Sequence, residues 1–399
     1  MAKKVLLLFA IMFTFNLGFA QDTYDKLYRF KQNNLYGFID NKGNVIVQPQ
    51  YTSTGIFSEG LCAVTKRQVN KTLLGYIDAK GNLVIPLRFQ QYLHEASDFK
   101  EGMAVVRLNN KSGYIDKNGK IIVEPTLYKG YPFNSGYAVI EKDNHAVRSV
   151  INKKGEILFD PVKAFKSQKR YVSKGIELLY LNDKVCDGVI TFHVSYHSDE
   201  PTMMKLGYFD MQGKMKFPID YLAGNYHEGL VVARDKASNT IGYLDKNGKL
   251  IIPFNKFKNV SDFKNNRAIV QDIKSKMYGI INKDGDYIVA PKYRQISKKS
   301  YFSDVIMAYD ESGKAGYLSS KGRLITGSKY KYGYDFAEGL ALVYSNENGY
   351  QYIDKQGNPA FELSFKKSHP NFKGDLAKVL VNDKLVYINK KGEIVFRFP

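Results

Sequence analysis

The sequence predicts an all-β chain, a tandem repeat of about ten three-stranded β-meander units of ~35–38 residues stacked as an open solenoid or superhelix. Three observations predict it. A phrase returns along the chain, as "YGFIDNKGNVIVQPQY" at 36–51, "LGYIDAKGNLVIPLRF" at 74–89 and "SGYIDKNGKIIVEPTLY" at 112–128. Its spacing is nearly constant. Its composition, with 30 Tyr, 25 Phe and 33 Gly, suits short strands and tight turns.

Copies of the phrase begin at Gly37, Gly75, Gly113, Ser149, Gly207, Gly242, Gly279, Gly316, Gln351 and Val386. The intervals are 38, 38, 36, 58, 35, 37, 37, 35 and 35 residues. The phrase opens with a short strand such as "YGFID". A turn follows that starts with Asp or Asn in nine copies, Ser319 being the exception, and closes with Gly in all ten. Asp at the first turn position can accept hydrogen bonds from the amides ahead of it. Gly at the last can take the left-handed conformation that swings the chain into the next strand. The return strand, as in "NVIVQP" or "KLIIP", is rich in β-branched residues and expected to stop at Pro, which cannot donate to the ladder. A third strand follows "FSEG", "FKEG", "FNSG", "YHEG" or "FAEG". One such unit cannot bury its own apolar face, so neighbours must stack. Three strands in about 36 residues favour an open stack, and a closed β-propeller-like array is the alternative.

The chain divides into four stretches. Residues 1–20 combine a basic head with an apolar run ending in Gly18 and Ala20, which reads as a signal peptide cleaved before Gln21. Residues 21–160 and 206–399 carry the repeats. Residues 161–205 interrupt them, with "YVSKGIELLYL" at 171–181 as a worn copy of the third strand and "CDGVITFHVSYHSDEPTMMK" as a lengthened hairpin. Periplasmic, cell-surface or extracellular residence is expected, and no transmembrane segment remains after cleavage. Cys62 and Cys186 form one bridge or none, too few for a disulfide framework.

The net charge is +20, and losing Lys3 and Lys4 with the leader leaves +18. Such an excess suits an anionic polymer or surface and also simple solubility. Lys42, Lys80, Lys117, Lys153, Lys246, Lys283, Lys321, Lys355 and Lys390 sit inside nine of the ten turns. Units stacked in register would line these nine along one edge as a basic ridge. The aromatics after each Gly offer sugar stacking or core filling, with core as the default reading. "HVSYHSDE" at 193–200 is the richest cluster of ligand types. His193 and His197 would share one strand face as weak metal candidates, but their spacing matches no zinc signature. The turn carboxylates are explained by turn chemistry without a hydrolytic role. Nucleophile elbow, P-loop, dinucleotide fingerprint and H-E-x-x-H are missing. No cofactor and no nucleic-acid partner are expected.

The "YG" at 36–37 and 278–279, the "GYID…G…I.P" run and the downstream "F.EGLA.V" resemble the WG-repeat family of bacterial proteins over about residues 27–398. The chain contains no Trp. Tyr36, Leu74, Ser112, Leu206, Ile241, Tyr278, Ala315 and Tyr350 stand in that place. The resemblance implies an all-β repeat protein and supplies no catalytic motif. The function expected is a non-enzymatic binding or scaffolding surface, for an anionic or neutral envelope polysaccharide or another envelope protein. A hydrolase or metal site in 161–205 is the alternative.

Overall fold

The computed structural model describes residues 27–399 apart from 70, 91–97, 144–147, 170–172, 174–175, 197–204, 217–221, 236–237, 364, 366 and 369–370. The expected leader lies outside the described residues, as does His197. The regular structure of the described chain is antiparallel strand apart from one six-residue helix, and every sheet is a meander in sequence order. Each of the ten phrase copies forms a strand, from Leu35–Ile39 in unit 1 through Lys71–Asp78 in unit 2 to Lys384–Asn389 in unit 10. It is counted as the third of its unit, the residues before the second strands of units 1 and 3 lying partly outside the described ones.

The sheet is framed half a unit earlier than the phrase. Unit 2 is Ser53–Ser58, Leu61–Gln68, Lys71–Asp78 and Leu83–Gln90, paired in that order. The "EGLCAV" strand is therefore the second strand of a unit, and a short first strand precedes it. Antiparallel pairing then sorts the connections. The turns between first and second strands and between third and fourth strands lie on one rim, here the turn rim. The loops between second and third strands, and the corner into the next unit, lie on the other, the corner rim. Units 6 and 7 share one seven-stranded sheet because the corner strand Leu250–Val260 pairs with both, Phe257 facing Ile241 on one side and Asp272 on the other.

The turn chemistry expected from the phrase is present throughout. All ten closing glycines have φ between +75° and +89°. Asp40 Oδ1 accepts from the amides of Lys42 and Asn44, both at 2.8 Å, and Asp78, Asp116, Asp245 and Asp354 repeat the pattern. Slight burial pushes the carboxyls of Asp40 and Asp78 up. The hydrogen bonds from Asn44 and Asn82 and from the turn amides outweigh it and hold both below the usual carboxylate range. Asp210 and Asp354 are depressed in the same way. A depressed folded pKa contributes stability that is present above the unfolded value and lost as pH falls through the folded one. The urea midpoint is therefore expected to hold near neutrality and to drop below about pH 4. Asn152 accepts the same two amide bonds, from Lys154 and Glu156. Replacing Asp40, Asp78, Asp210 and Asp354 with Asn should keep the turns and flatten that acid limb, and an unchanged limb would assign it elsewhere.

Proline does not end the return strand. Pro49 lies inside Val45–Tyr51 and Pro86 inside Leu83–Gln90. The ladder slips there instead. The step from Phe38 to Tyr36 is matched across the pair by the step from Val47 to Tyr51, with Tyr76 to Leu74 against Ile85 to Phe89 in unit 2. The fourth strand bulges over the third, and Pro fits a position with no ladder bond to make.

The insertion supplies the first two strands of unit 5. Ile176–Cys186, Val189–Tyr196 and Lys205–Asp210 pair in order as the sheet of unit 5. The worn strand copy read at 171–181 is displaced: Asp187 and Gly188, at φ +48° and +70°, make the turn that Glu-Gly makes elsewhere, so "VITF" opens the second strand. The long interval reflects lengthened strands and a six-residue helix, Pro161–Lys166, capped by Asp160.

The array closes on itself. The ideal Cβ of a closing turn glycine abuts the fourth strand of the preceding unit at Gly81 against Val47, Gly119 against Ile85, Gly155 against Val123, Gly285 against Ile252, Gly322 against Val289 and Gly357 against Thr326. Gly43 of unit 1 makes the same approach to Val395 of unit 10. Tyr114, Tyr243 and Tyr317 each donate across a joint to the carbonyl just past the next unit's first strand, those of Tyr131, Ser261 and Tyr334, at 2.8, 2.8 and 2.7 Å. Tyr387 of unit 10 donates to the Arg29 carbonyl of unit 1 at 2.9 Å. Phe30, Ile39, Leu376 and Tyr387 form one buried cluster across the seam, with Phe396 and Phe398 against it. The closed alternative is thus the observed one. Short first strands supply the fourth strand that three phrase segments leave out, and nearest-neighbour packing repeated ten times returns to its start.

Candidate functional site

The nine turn lysines all lie on the turn rim. Eight are exposed and Lys283 is half-buried. The Glu-Gly turns share that rim, a consequence of the meander that strand patterns alone do not display. Carboxylates are therefore set among the lysines, and they reach forward to the next unit. Glu59 accepts from the Gly102 amide and Glu101 from the Gly136 amide, both at 2.8 Å, while Glu228 accepts from the amides of Asn265 and Asn266 at 2.6 and 2.9 Å.

Four lysines join this lattice. Lys153 stands 3.5 Å from Glu101, Lys283 3.6 Å from Glu228, Lys355 3.9 Å from Asp304, and Lys390 3.9 Å from both Glu338 and Asp375. Apart from the contact of Lys390 with Asp375 in its own unit, each pairs with an acidic turn of the preceding unit. Lys283 also donates to the Glu228 carbonyl at 2.8 Å. At the seam Asn41 donates to Asp375, continuing the pattern from unit 1 to unit 10. Exposed pairs of this kind contribute little each, but they orient the chains that make them. Lys42, Lys80, Lys117, Lys246 and Lys321 have no carboxylate oxygen within 4.0 Å among the described residues. The ridge read from the sequence is thus a rim of two parts, four lysines tied between units and five projecting.

The aromatic choice resolves to core at the phrase tyrosines. Tyr76, Tyr114, Tyr208, Tyr243, Tyr317 and Tyr352 have no exposed surface. Five of them meet the aromatic of the next unit's first turn edge-on, as Tyr76 meets Phe99 at 5.0 Å and Tyr243 meets Phe263 at 4.8 Å. Each such pair adds ~1 kcal/mol beyond its buried area.

His193 is half-buried on the second strand of unit 5, with Nε2 2.7 Å from Asn182 Oδ1. Burial, and then Arg148 nearby, push its pKa down. Among the described residues no three His, Cys, Asp or Glu side chains gather as a metal set. Cys62 is buried, Cys186 is half-buried, and neither is in a disulfide. Burial pushes the Cys62 thiol up to about 12, which leaves it a protonated apolar filler. No helix among the described residues is long and apolar enough to cross a membrane.

No curated protein matches the sequence. Among solved structures, Hsv2p of Kluyveromyces lactis is similar at 9% identity and a TM-score of 0.31, over 84% of this chain and 95% of its own. Dihydro-heme d1 dehydrogenase NirN in complex with DHE is similar at 11% identity and a TM-score of 0.32, over 94% and 73%. At these scores the likeness adds nothing to the architecture read from the strands. The WG containing repeat profile matches residues 36–68, 75–111, 113–144, 241–273, 278–301 and 316–348. Every match starts in the third strand of one unit and crosses the corner into the next, and five of the six continue through or beyond that unit's second strand. The profile thus follows the joint between sheets, which the buried Tyr–Phe pairs and the bulge glycines define, and the chain belongs to the WG-repeat family.

Proposed function

We propose that the chain is an exported, non-enzymatic binding or scaffolding protein whose turn rim contacts a cell-envelope glycan or an envelope protein. The observation that carries this reading is the five projecting lysines, Lys42, Lys80, Lys117, Lys246 and Lys321, set on one rim of a chain with a +20 formal charge. A rim built from successive turns presents its charges at several points, and it attracts a polyanion over several contacts at once. Export is supported by the leader-like residues 1–20, a basic head followed by an apolar run that ends in small residues.

The test is co-sedimentation of residues 21–399 with purified envelope polysaccharide across a salt series. Binding is expected to weaken steeply as ionic strength rises past the point where the screening length drops below ~10 Å. Changing the five projecting lysines to Glu should abolish it, while changing the tied Lys153 or Lys355 to Met should not. Binding indifferent to salt and to all five changes would remove the rim from consideration.

A further inference from the structure

The corner rim of unit 9 carries an aromatic ladder that the repeat does not require. Tyr332, Tyr344 and Tyr350 lie side by side on three adjacent strands, in register as Tyr332↔Tyr344 and Tyr344↔Tyr350. Ring centroids are 5.8 Å apart in the first pair and 4.8 Å in the second, and Phe365 continues the row 6.4 Å beyond Tyr350. Tyr332 is 48% exposed, and Tyr344 and Tyr350 are half-buried. The same three positions hold Asn259, Gln271 and Tyr278 in unit 7, and Gln295, Tyr309 and Ala315 in unit 8. Those units hold one tyrosine each among polar or small residues, so the repeat does not call for three tyrosines.

Cations adjoin the ladder. Lys331 Nζ stands 5.6 Å from the centre of the Tyr332 ring, and Lys329, two residues earlier at the end of the strand Leu324–Tyr330, is also exposed. The preceding corners repeat the pair as Lys292 with Arg294 and Lys256 with Lys258, all exposed. Among the described residues none of these six lies within 4.0 Å of a carboxylate oxygen. Three successive corners thus present paired cations, and the last ends on half-exposed tyrosine rings.

We propose that the corner rim of units 7–9 binds a linear acidic polysaccharide, with a pyranose ring on Tyr332 and the anionic substituents of successive sugars on the corner cation pairs. The apolar face of a sugar ring suits an amphipathic tyrosine, whose hydroxyl stays wet. Fixed charges recurring along the polymer suit cations that recur once per unit. This inference rests on the reading above only for the class of partner, a glycan, and adds a second site on the opposite rim.

The test uses residues 21–399 with polygalacturonate, neutral dextran and single-stranded poly(dT) as probes. Tyr332→Ala is expected to weaken polygalacturonate binding about tenfold, the factor that 1.4 kcal/mol of lost contact gives. The double variant Lys329→Glu, Lys331→Glu should remove most of its salt dependence. Thermal unfolding of each variant should match the parent, since the altered residues are exposed. Parent binding that Tyr332→Ala and the double variant leave unchanged, but that the five turn-lysine changes abolish, would overturn this site and keep the turn rim. Equal, Tyr332-dependent binding of poly(dT) would overturn the polysaccharide assignment. Failure of the parent to bind any of the three would overturn this inference, and binding to whole envelope polysaccharide in the earlier assay would then still support the turn rim.

Discussion

Gly113→Val should unfold the protein at a urea concentration far below that of the parent, with a loss of roughly 3 kcal/mol or more. A Cβ at this position would lie 2.5 Å from the Val123 carbonyl oxygen, 2.8 Å from the Pro125 nitrogen and 2.9 Å from its Cα. All three are backbone atoms of the bulged fourth strand, so no rotamer change relieves the clash. Gly37, Gly75, Gly242 and Gly279 face carbonyl oxygens at 2.5 or 2.6 Å in the same way. Unit 8 shows the other half of the relation. There Ser328 occupies the proline position, and the approach to Gly316 relaxes to 3.0–3.3 Å. Two other glycines bracket the effect. Gly102 has open space but a φ of +82°, so Gly102→Ala should cost about 1 kcal/mol of backbone strain alone. Gly327 has open space and an ordinary φ, and Gly327→Ala should be neutral within about 0.5 kcal/mol. Equal midpoints for Gly113→Val and Gly327→Ala would show that the bulge does not hold the strands as close as described.

Local chemistry was legible in the sequence because it repeats within a few residues. Asp at the head of the turn and Gly at its close act on amides two to four residues away, and ten copies expose the rule. The glycine before the aromatic and the proline of the return strand were visible as positions but not as a pair. Their relation is a contact across two strands, Gly37 under Val47 and Pro49, and no spacing within either strand encodes it. The insertion was misplaced for a similar reason. Asp187–Gly188 does the work of Glu-Gly, yet the helix and an 11-residue strand push it far beyond Gly155, so "YVSKG" at 171–175 stands nearer the place the repeat spacing predicts. The basic ridge was half legible. The lysines repeat with the phrase, but Glu101 and Glu228 reach them only because two kinds of turn share a rim, a property of the meander. The tyrosine ladder of unit 9 could not be read at all, since its members stand on three strands that only pairing brings side by side.

Closure predicts a second large effect, at the seam. Phe30 is 3% exposed and its ring lies 5.0 Å from that of Phe396 in unit 10. Phe30→Ala should lower stability by about 3–5 kcal/mol, as for other buried aromatics cut to Ala. Its distribution along the chain carries more information than its size. In an open stack each unit leans only on its neighbours, so damage in unit 1 frays that end and leaves unit 10, a full array away, untouched. In the closed array unit 10 leans on unit 1 through Tyr387, whose hydroxyl donates to the Arg29 carbonyl and whose ring meets Tyr28 at 5.8 Å. Phe30→Ala should therefore speed amide exchange in Leu376–Val381 and Lys384–Asn389 as well as in Tyr28–Gln32 and Leu35–Ile39. Exchange in Ile241–Asp245, on the far side of the ring, should stay at parental rates until global unfolding. Tyr387→Phe is the milder companion, deleting one buried hydrogen bond worth ~1 kcal/mol while keeping the ring. Loss of protection confined to the altered unit, unit 1 for Phe30→Ala and unit 10 for Tyr387→Phe, would mean that the seam does not hold in solution. Loss in both terminal units, with the middle protected, would make the two ends of the sequence one cooperative joint.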